Sequence, residues 1–384
     1  MREKDKKFQA IYKAAESVLD VIRSNAPQGE INCQLPPQTV DALKESGMLS
    51  LWRPESLGGH QCDPEAYALV AELIASADTS AAWTMHGVAA SWLVLRSASD
   101  QLVDEIIASA DIPVIADTYN KPMQGEKVDG GYCLNGDTPF ASGSKIADWI
   151  AHTTLVDGRM FLTFHPAGTL EIKEDWDTLG IRGSASNTVV AKDIFVPEHR
   201  AIDIMGDVTP SPRFNGALYR MPTAVVPVGI AAVSLGTIRT ALDCLNDIAE
   251  NRIPFGGSAT LKHRALAQLH YGRALSTYRA SRSYMHECLR DNFKTAEQNL
   301  EFSTQSKADM VLAATFVLQN CADAVREVAK AAGTASIHKG GGIERALRDV
   351  EVTSHHAFGS ESRFASVAQA YWGLDIDFPL IEIE

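Results

Sequence analysis

The sequence predicts a mainly α protein interrupted by one central antiparallel β domain: helices over residues 1–112, strands over 113–205, and a C-terminal helical bundle over 206–384. Three observations carry that prediction. The chain has 384 residues, 45% hydrophobic and 22% charged, which is long enough for two or three domains and close to the globular average. Its hydrophobic period changes twice, becoming strand-like after Pro113 and helical again from Pro222. The hairpin-type turn dipeptides Asp129-Gly130, Asn135-Gly136 and Asp157-Gly158 all fall in the middle segment.

The elements follow in order. Helical periodicity begins at Gln9, and Ala66, Leu69, Val70, Leu73 and Ile74 form one helix face behind Asp63-Pro64, an N-cap with proline at the first helical position. Pro54-Glu-Ser-Leu-Gly58-Gly59 is a break between helices, and Asp78 caps a further apolar helix that carries Trp83 and His86. In the middle segment, residues 161–164 and 188–196 are rich in β-branched and aromatic residues and read as strands, with 121–127 as a loop. Helix then returns in four blocks, 223–251, 260–291, 295–333 and 343–357. Pro254-Phe-Gly-Gly257, a polar stretch near Phe293 and Gly340-Gly-Gly342 separate them, the pattern of a bundle.

Composition excludes several functions. A formal charge of −13, from 35 basic and 48 acidic residues, disfavours nucleic acid or an anionic membrane as partner. The six cysteines never come closer than 29 residues in sequence, so neither a zinc ribbon nor a dense disulfide framework is available and a reducing cytoplasm fits. Residues 2–7 are all charged and lead into a polar amphipathic stretch with no apolar core, which argues against a secretory leader. The longest apolar run, from Pro222 to Leu235, holds two prolines and Gly229 and falls short of the ~20 residues a membrane helix needs.

Common catalytic signatures are absent. There is no GxGxxG, GxxxxGK[ST], HExxH or GxSxG, which removes support for dinucleotide-fold dehydrogenases, P-loop enzymes, zincins and α/β-hydrolases. His355-His356 invites a metal, but adjacent helical residues point about 100° apart and a site needs three or four converging ligands, so no metal is expected.

The order of segments, together with local motifs, resembles the acyl-CoA dehydrogenase fold over nearly the whole chain. Leu43 to Gly47 followed by Pro54-Glu-Ser-Leu-Gly-Gly59 is similar to the opening of that family. Trp176-Asp-Thr-Leu-Gly180-Ile-Arg182-Gly183-Ser184-Ala-Ser186 and Phe195-Val-Pro-Glu198 resemble the end of its barrel-like β domain. Asn251-Arg252-Ile-Pro-Phe255-Gly256, and Gly340-Gly-Gly342 with Arg348-Asp349, resemble loop and last helix of its four-helix bundle. The resemblance implies a flavin held between β domain and bundle in a homotetramer. It also exposes a departure: counting eight residues from Asp349 reaches Ala357 where one branch of dehydrogenases carries its glutamate base, and Tyr219-Arg220-Met221 supplies no acid where the other branch has it. The segment that contacts flavin and thioester in the dehydrogenases is replaced by Ile115-Ala-Asp117-Thr-Tyr119-Asn120.

A sister group lacks that glutamate: the oxygenase components of two-component (group D) flavin monooxygenases, of the 4-hydroxyphenylacetate hydroxylase, dibenzothiophene monooxygenase and indole-acetate monooxygenase type. Phe140-Ala-Ser142-Gly143-Ser144-Lys-Ile-Ala-Asp148-Trp149 and Asp78-Thr-Ser-Ala-Ala-Trp83-Thr-Met-His86 resemble segments of that group, and His356 falls where it carries a histidine. The implied function is hydroxylation of a small aromatic or heteroaromatic compound, through a flavin C4a-hydroperoxide, with dioxygen and reduced FMN or FAD from a separate reductase. Such an adduct needs a dry, closed site. Two alternatives stand beside this reading, an acyl-CoA dehydrogenase with a displaced base and a non-catalytic flavin-binding scaffold.

The resemblance assigns roles residue by residue. Ser142 would hold the proton at flavin N5; a turn serine bonded to its own backbone is the structural alternative. His356, with His86 second, would accept a phenol or indole proton; either could instead be a satisfied core histidine. Phe140, Ser142, Gly143, Arg182, Gly183 and Ser184 would contact the flavin, the small residues admitting the ring closely. Arg252, with Phe255, would reach the flavin phosphates of a neighbouring subunit. His86, Trp83, Asp117 and Tyr219 would line the substrate pocket, although tryptophans such as Trp83, Trp92 and Trp149 more often fill cores.

Overall fold

A computed structural model describes residues 6–204, 206 and 210–382. Part of the polar N-terminal segment, the β-to-bundle boundary at 205 and residues 207–209 fall outside these. Helices come first: α1 (Lys6–Asn32), α2 (Pro37–Glu45), α3 (Pro64–Ala75), α4 (Thr79–Val94) and α5 (Asp100–Ser109). The caps act as the sequence predicts, because Asp63 accepts from Ala66 N and Asp78 from Ser80 N, each satisfying an orphan donor of the first turn.

Seven strands form one sheet: β1 (Ile115–Val128), β2 (Gly131–Ala141), β3 (Trp149–Val156), β4 (Arg159–Pro166), β5 (Glu171–Lys173), β6 (Asn187–Pro197) and β7 (Ala201–Asp203), in the order β5-β6-β2-β1-β3-β4-β7. The expectation of a purely antiparallel domain needs one correction: β1 and β3 are parallel. Residues 142–148 cross the start of β1 instead of turning back in a hairpin, and Asp148 pins the crossing by accepting from Val114 N through Oδ2 (2.8 Å) and donating its own N–H to Val114 O (2.8 Å). This crossing sets Ser142 beside Asp117, the two joined by an isolated bridge.

Two of the three turn dipeptides are hairpin turns, β1 to β2 at Asp129-Gly130 and β3 to β4 at Asp157-Gly158. Asn135-Gly136 instead lies inside β2 at a register shift against β6, where the Asn135 side chain bonds Asp193. Residues 121–127, expected as a loop, extend β1.

The bundle comprises α6 (Val226–Asn251), α7 (Ala265–Glu297), α8 (Thr304–Ala332) and α9 (Gly342–Ser354), followed by α10 (Arg363–Trp372) and α11 (Pro379–Glu382). The second block therefore runs through Phe293 and breaks later, at Asn299, whose φ of 54° ends the helix. The longest apolar run opens α6, which packs against α3, α4, α8 and α9. The spans 223–251 and 304–337 are long and apolar enough to cross a membrane, yet 89% and 67% of their apolar windows are buried in the core. Glu72 of α3, 3% exposed, ties the N-terminal helices to the bundle through Tyr278 and Arg282 of α7.

Candidate active site

A cavity of about 530 Å³ opens where α4, the start of β1, the crossing after β2 and the end of α9 meet, within the usual range for small-molecule sites. Trp83, His86, Gly87 and Ala90 line it from α4, at the i, i+3, i+4 and i+7 spacing of one helix face. Val226 and Ile230 of α6, and His355, His356, Ala357 and Phe358 beyond α9, close other sides.

Ser142 belongs to a chain of hydroxyls whose direction is determined. Ser184 Oγ donates to Ile181 O (2.8 Å), so its single proton is spent and it must accept from Ser186 Oγ (2.8 Å). Ser186 in turn accepts from Ser142 Oγ (2.8 Å), which itself accepts the Trp83 indole N–H (3.0 Å). A hydroxyl has one proton and two lone pairs. Ser142 therefore faces the cavity with an unspent lone pair and no unspent proton, an acceptor suited to an N–H group.

The histidines are likewise determined. Phe358 N donates to His356 Nδ1 (3.2 Å), and burial lowers the ring to about 4, so it is neutral near pH 7 and its proton sits on Nε2, a tautomer assigned from the partner. His356 meets the cavity as a donor, whereas the sequence reading makes it an acceptor. Its ring packs edge-on against Trp83 and Phe358, at 5.3 and 5.1 Å. Tyr67 Oη lies 2.9 Å from His86 Nδ1, the only acceptor described for its proton, so His86 also carries its proton on Nε2. Burial, with His356 nearby, lowers His86 to about 3. Gly229 makes room for this ring, since a Cβ there would lie 2.2 Å from His86 Cε1.

Asp117 stands on β1 at the cavity wall. Ser91 Oγ donates to Oδ2 at a long 3.4 Å, and Tyr119 also bonds the carboxyl. Burial pushes it up to about 7, against those two hydrogen bonds.

Apart from Phe140, the other predicted residues lie away from the cavity lining. Tyr219 is buried elsewhere, donating to Trp52 O (2.8 Å), so it is not a pocket residue of this cavity. Arg182 spends its guanidinium on Asp177, Thr178 O, Glu30 O and Cys33 Sγ. Gly183 is needed for packing on α4, where a Cβ would meet Ser80 Cβ at 3.0 Å. Gly143, with φ 81°, donates to Ser184 O and holds the crossing against the Arg182–Ser184 turn. Arg252 bonds Thr334 Oγ1 (2.5 Å) and reaches Ala332 O (3.4 Å), and Phe255 is fully exposed beside it in sequence. Phe140 stands at the cavity rim, edge-on to Trp176 at 6.0 Å. Among the described residues no group of three or more His, Cys, Asp or Glu could hold a metal ion.

Sequence reasoning placed residues 117–120 at the pocket edge, where the structure has them, but assigned no role to Phe358, Ile230 or Trp176. The α4 spacing was a usable signal for Gly87 and Ala90; nothing local marks Phe358, which follows the end of α9.

Residues 7–109 match the acyl-CoA dehydrogenase N-terminal domain and residues 228–361 the acyl-CoA dehydrogenase C-terminal domain. The chain belongs to the acyl-CoA dehydrogenase superfamily. Among members of this superfamily, it is 26% identical to an indole-3-acetate monooxygenase of Pseudomonas putida, over 94% of this chain and 93% of that one. It is 27% identical to the flavin-dependent monooxygenase oxygenase subunit HsaA of Rhodococcus jostii, over 91% and 94%. The solved structure of XiaF from a Streptomyces species, in complex with FADH2 and glycerol, superposes with a TM-score of 0.92 at 23% identity, covering 98% of both chains, a likeness of fold.

The residues around the cavity fit a flavin. Phe140 and Trp176 offer an aromatic rim, the walls are largely apolar, and the polarised serine chain ends in an acceptor at Ser142.

Proposed function

We propose that the chain is the oxygenase component of a two-component flavin-dependent monooxygenase, hydroxylating a small aromatic or heteroaromatic compound with dioxygen and reduced FMN or FAD delivered by a separate reductase. The observation that carries this reading is the cavity wall at Ala357, where a dehydrogenase would need a glutamate and this chain has a methyl group. The full-length similarity to enzymes named monooxygenases supports it. A homotetramer in the cytoplasm is the setting this reading brings with it.

Reduced flavin supplies the electrons that activate dioxygen. Ser142 holds a flavin N–H through its free lone pair, and the Ser186–Ser184 chain keeps that lone pair turned inward. His356 is an N–H donor for a developing negative charge, His86 packs behind it as a neutral wall residue, and Trp83 orients Ser142 while packing on His356. The apolar walls exclude water, which lengthens the life of an oxygen-reactive species. Arg252 and Phe255, at the surface, serve a neighbouring subunit's flavin in the tetramer.

The test mixes anaerobic protein carrying chemically reduced FMN or FAD with oxygenated buffer and follows the flavin spectrum. Reoxidation slower than that of free flavin, with one oxygen atom gained by an aromatic probe, is expected. Reoxidation as fast as free flavin would sink the reading. Tightly bound oxidised flavin bleached by an acyl-CoA would favour the dehydrogenase, and no flavin affinity in either redox state would favour the scaffold.

A further inference from the structure

The cavity's polar groups divide unequally between donors and acceptors. His356 faces it as a neutral donor, whereas His86 Nε2 is fully buried, and His355 donates through Nδ1 to Glu351 O (2.6 Å) and so offers Nε2 as an acceptor. Trp83 N–H is spent on Ser142, Thr118 donates to Pro139 O, and Thr178 to Gly180 O. Two carboxylates line it, Glu351 and Asp117. Glu351 is held by Arg326 through Nε (3.0 Å) and Nη2 (2.5 Å). Asp117 has no Lys or Arg partner among the described residues, and no Lys or Arg lines the cavity. The charged and titratable groups around it are Tyr119 on its own strand, neutral His86 on α4, neutral His152 on β3 and neutral His356 beyond α9, with Glu351 of α9 and His355 lining the same cavity.

We infer that Asp117 is the general base of this site, taking the O–H or N–H proton of an uncharged aromatic substrate, and that the site discriminates against aromatics bearing a carboxylate. The inference rests on the monooxygenase reading above and names its substrate class. In the step, the substrate O–H or N–H bond breaks, its electron pair stays on the heteroatom, and the proton passes to a carboxylate oxygen of Asp117, giving a neutral acid and an aromatic anion. That anion is the more nucleophilic ring. His86 and His356 cannot take this proton without first giving up the hydrogen bonds at their Nδ1 atoms or their Nε2 protons, and His355, whose Nε2 is an acceptor, is exposed to solvent, whereas Asp117 stands half-buried on the β1 wall. Discrimination follows because a second carboxylate would be desolvated beside Asp117 in a cavity that offers neutral N–H donors but no cation to offset its charge.

Two matched pairs of probes test both halves: phenol against 4-hydroxybenzoate, and indole against indole-3-carboxylate. Binding to the flavin-free protein is read at pH 8 by tryptophan fluorescence, with Asp117→Asn and Asp117→Glu alongside the wild type. The neutral member of each pair should bind at least about tenfold tighter to the wild type, and Asp117→Asn should narrow that gap. Equal binding of neutral and anionic members, or binding of no probe, overturns the inference. In turnover with reduced FMN, Asp117→Asn should lower hydroxylation about 100-fold, and wild-type activity should rise with pH through about 7. Asp117→Glu should recover part of the activity and keep the rise. Unchanged hydroxylation in Asp117→Asn, at unchanged slow flavin reoxidation, would remove Asp117 from the chemistry and leave the monooxygenase reading standing. Fast reoxidation in the wild type would instead fail that reading itself.

Discussion

At the scale of residues, single hydrogen bonds decide what the site can do. Ser142 was legible in the sequence through its Ser-Gly-Ser setting, but its acceptor character depends on Ser184 spending a proton on Ile181 O, and that bond forms only because Ile181 and Ala185 adopt left-handed φ of 51° and 47° on either side of the turn. No local pattern announces two non-glycine residues in that region. Ser142→Ala would strip the partner from Trp83 Nε1 and from Ser186 Oγ, a loss of about 1–3 kcal/mol if both stay dry. Reduced flavin should then reoxidise faster on the variant than on the wild type, with Ser142→Thr close to wild type; equal rates in all three would deny Ser142 its contact. His356 teaches the same lesson from the other direction, since its position was readable and its tautomer, set by the Phe358 amide, was not. Gly229→Ala is the matching steric prediction. Its methyl would overlap the His86 ring, and overpacking of this kind costs about 1–3 kcal/mol, to be read as a lower urea midpoint at unchanged slope.

Elements meet at the site because of two junctions the sequence signals only in part. Helix periodicity located α4 and α6 correctly, since their apolar faces are long and regular. The β1 to β3 crossing was missed because turn chemistry marks hairpins and carries no sign for a strand that passes its neighbour's end and runs parallel. The second junction docks the loop before β6 on α9. Asp349 accepts from Ile181 N (2.7 Å), and Gly180 lies against the α9 backbone so closely that a Cβ would fall 2.3 Å from Arg348 O. The Arg348-Asp349 pair noticed in the sequence thus positions the loop that supplies Thr178, Leu179 and Ile181 to the cavity. Gly180→Ala should push this loop off α9, because backbone atoms cannot give way as a flexible side chain does. Limited proteolysis between β5 and β6 should accelerate while helix content measured by circular dichroism stays near wild type; unchanged cleavage would show the loop does not depend on this contact.

Across the whole molecule, the buried titratable groups pull stability in opposite directions, and their balance gives a measurable slope. His86, His152 and His356 are neutral when folded, lowered by burial to about 3, 4 and 4 from 6.5. His165, stacked on His152 at 4.6 Å, is lowered as well. Their contribution is complete above 6.5 and is lost as pH falls through the folded values. Asp78 and Asp117 are raised to about 7 from 3.8, both mainly by burial, so theirs is complete below 3.8 and is lost as pH rises through 7. Between about 4 and 6.5 the unfolded chain binds more protons at the four histidines and fewer at the two aspartates, so the aspartates offset part of the histidines' slope. Composition could not show this, because it counts histidines and aspartates without saying which the fold takes from water. Asp117→Asn removes one opposing proton, so between pH 5 and 6 its unfolding free energy should rise with pH by about 1.4 kcal/mol per unit more than that of the wild type. Urea titrations of both proteins at the two pH values measure the difference; parallel slopes would mean that Asp117 is already ionised in this range, and the carboxyl would then lack the elevated proton affinity its burial implies.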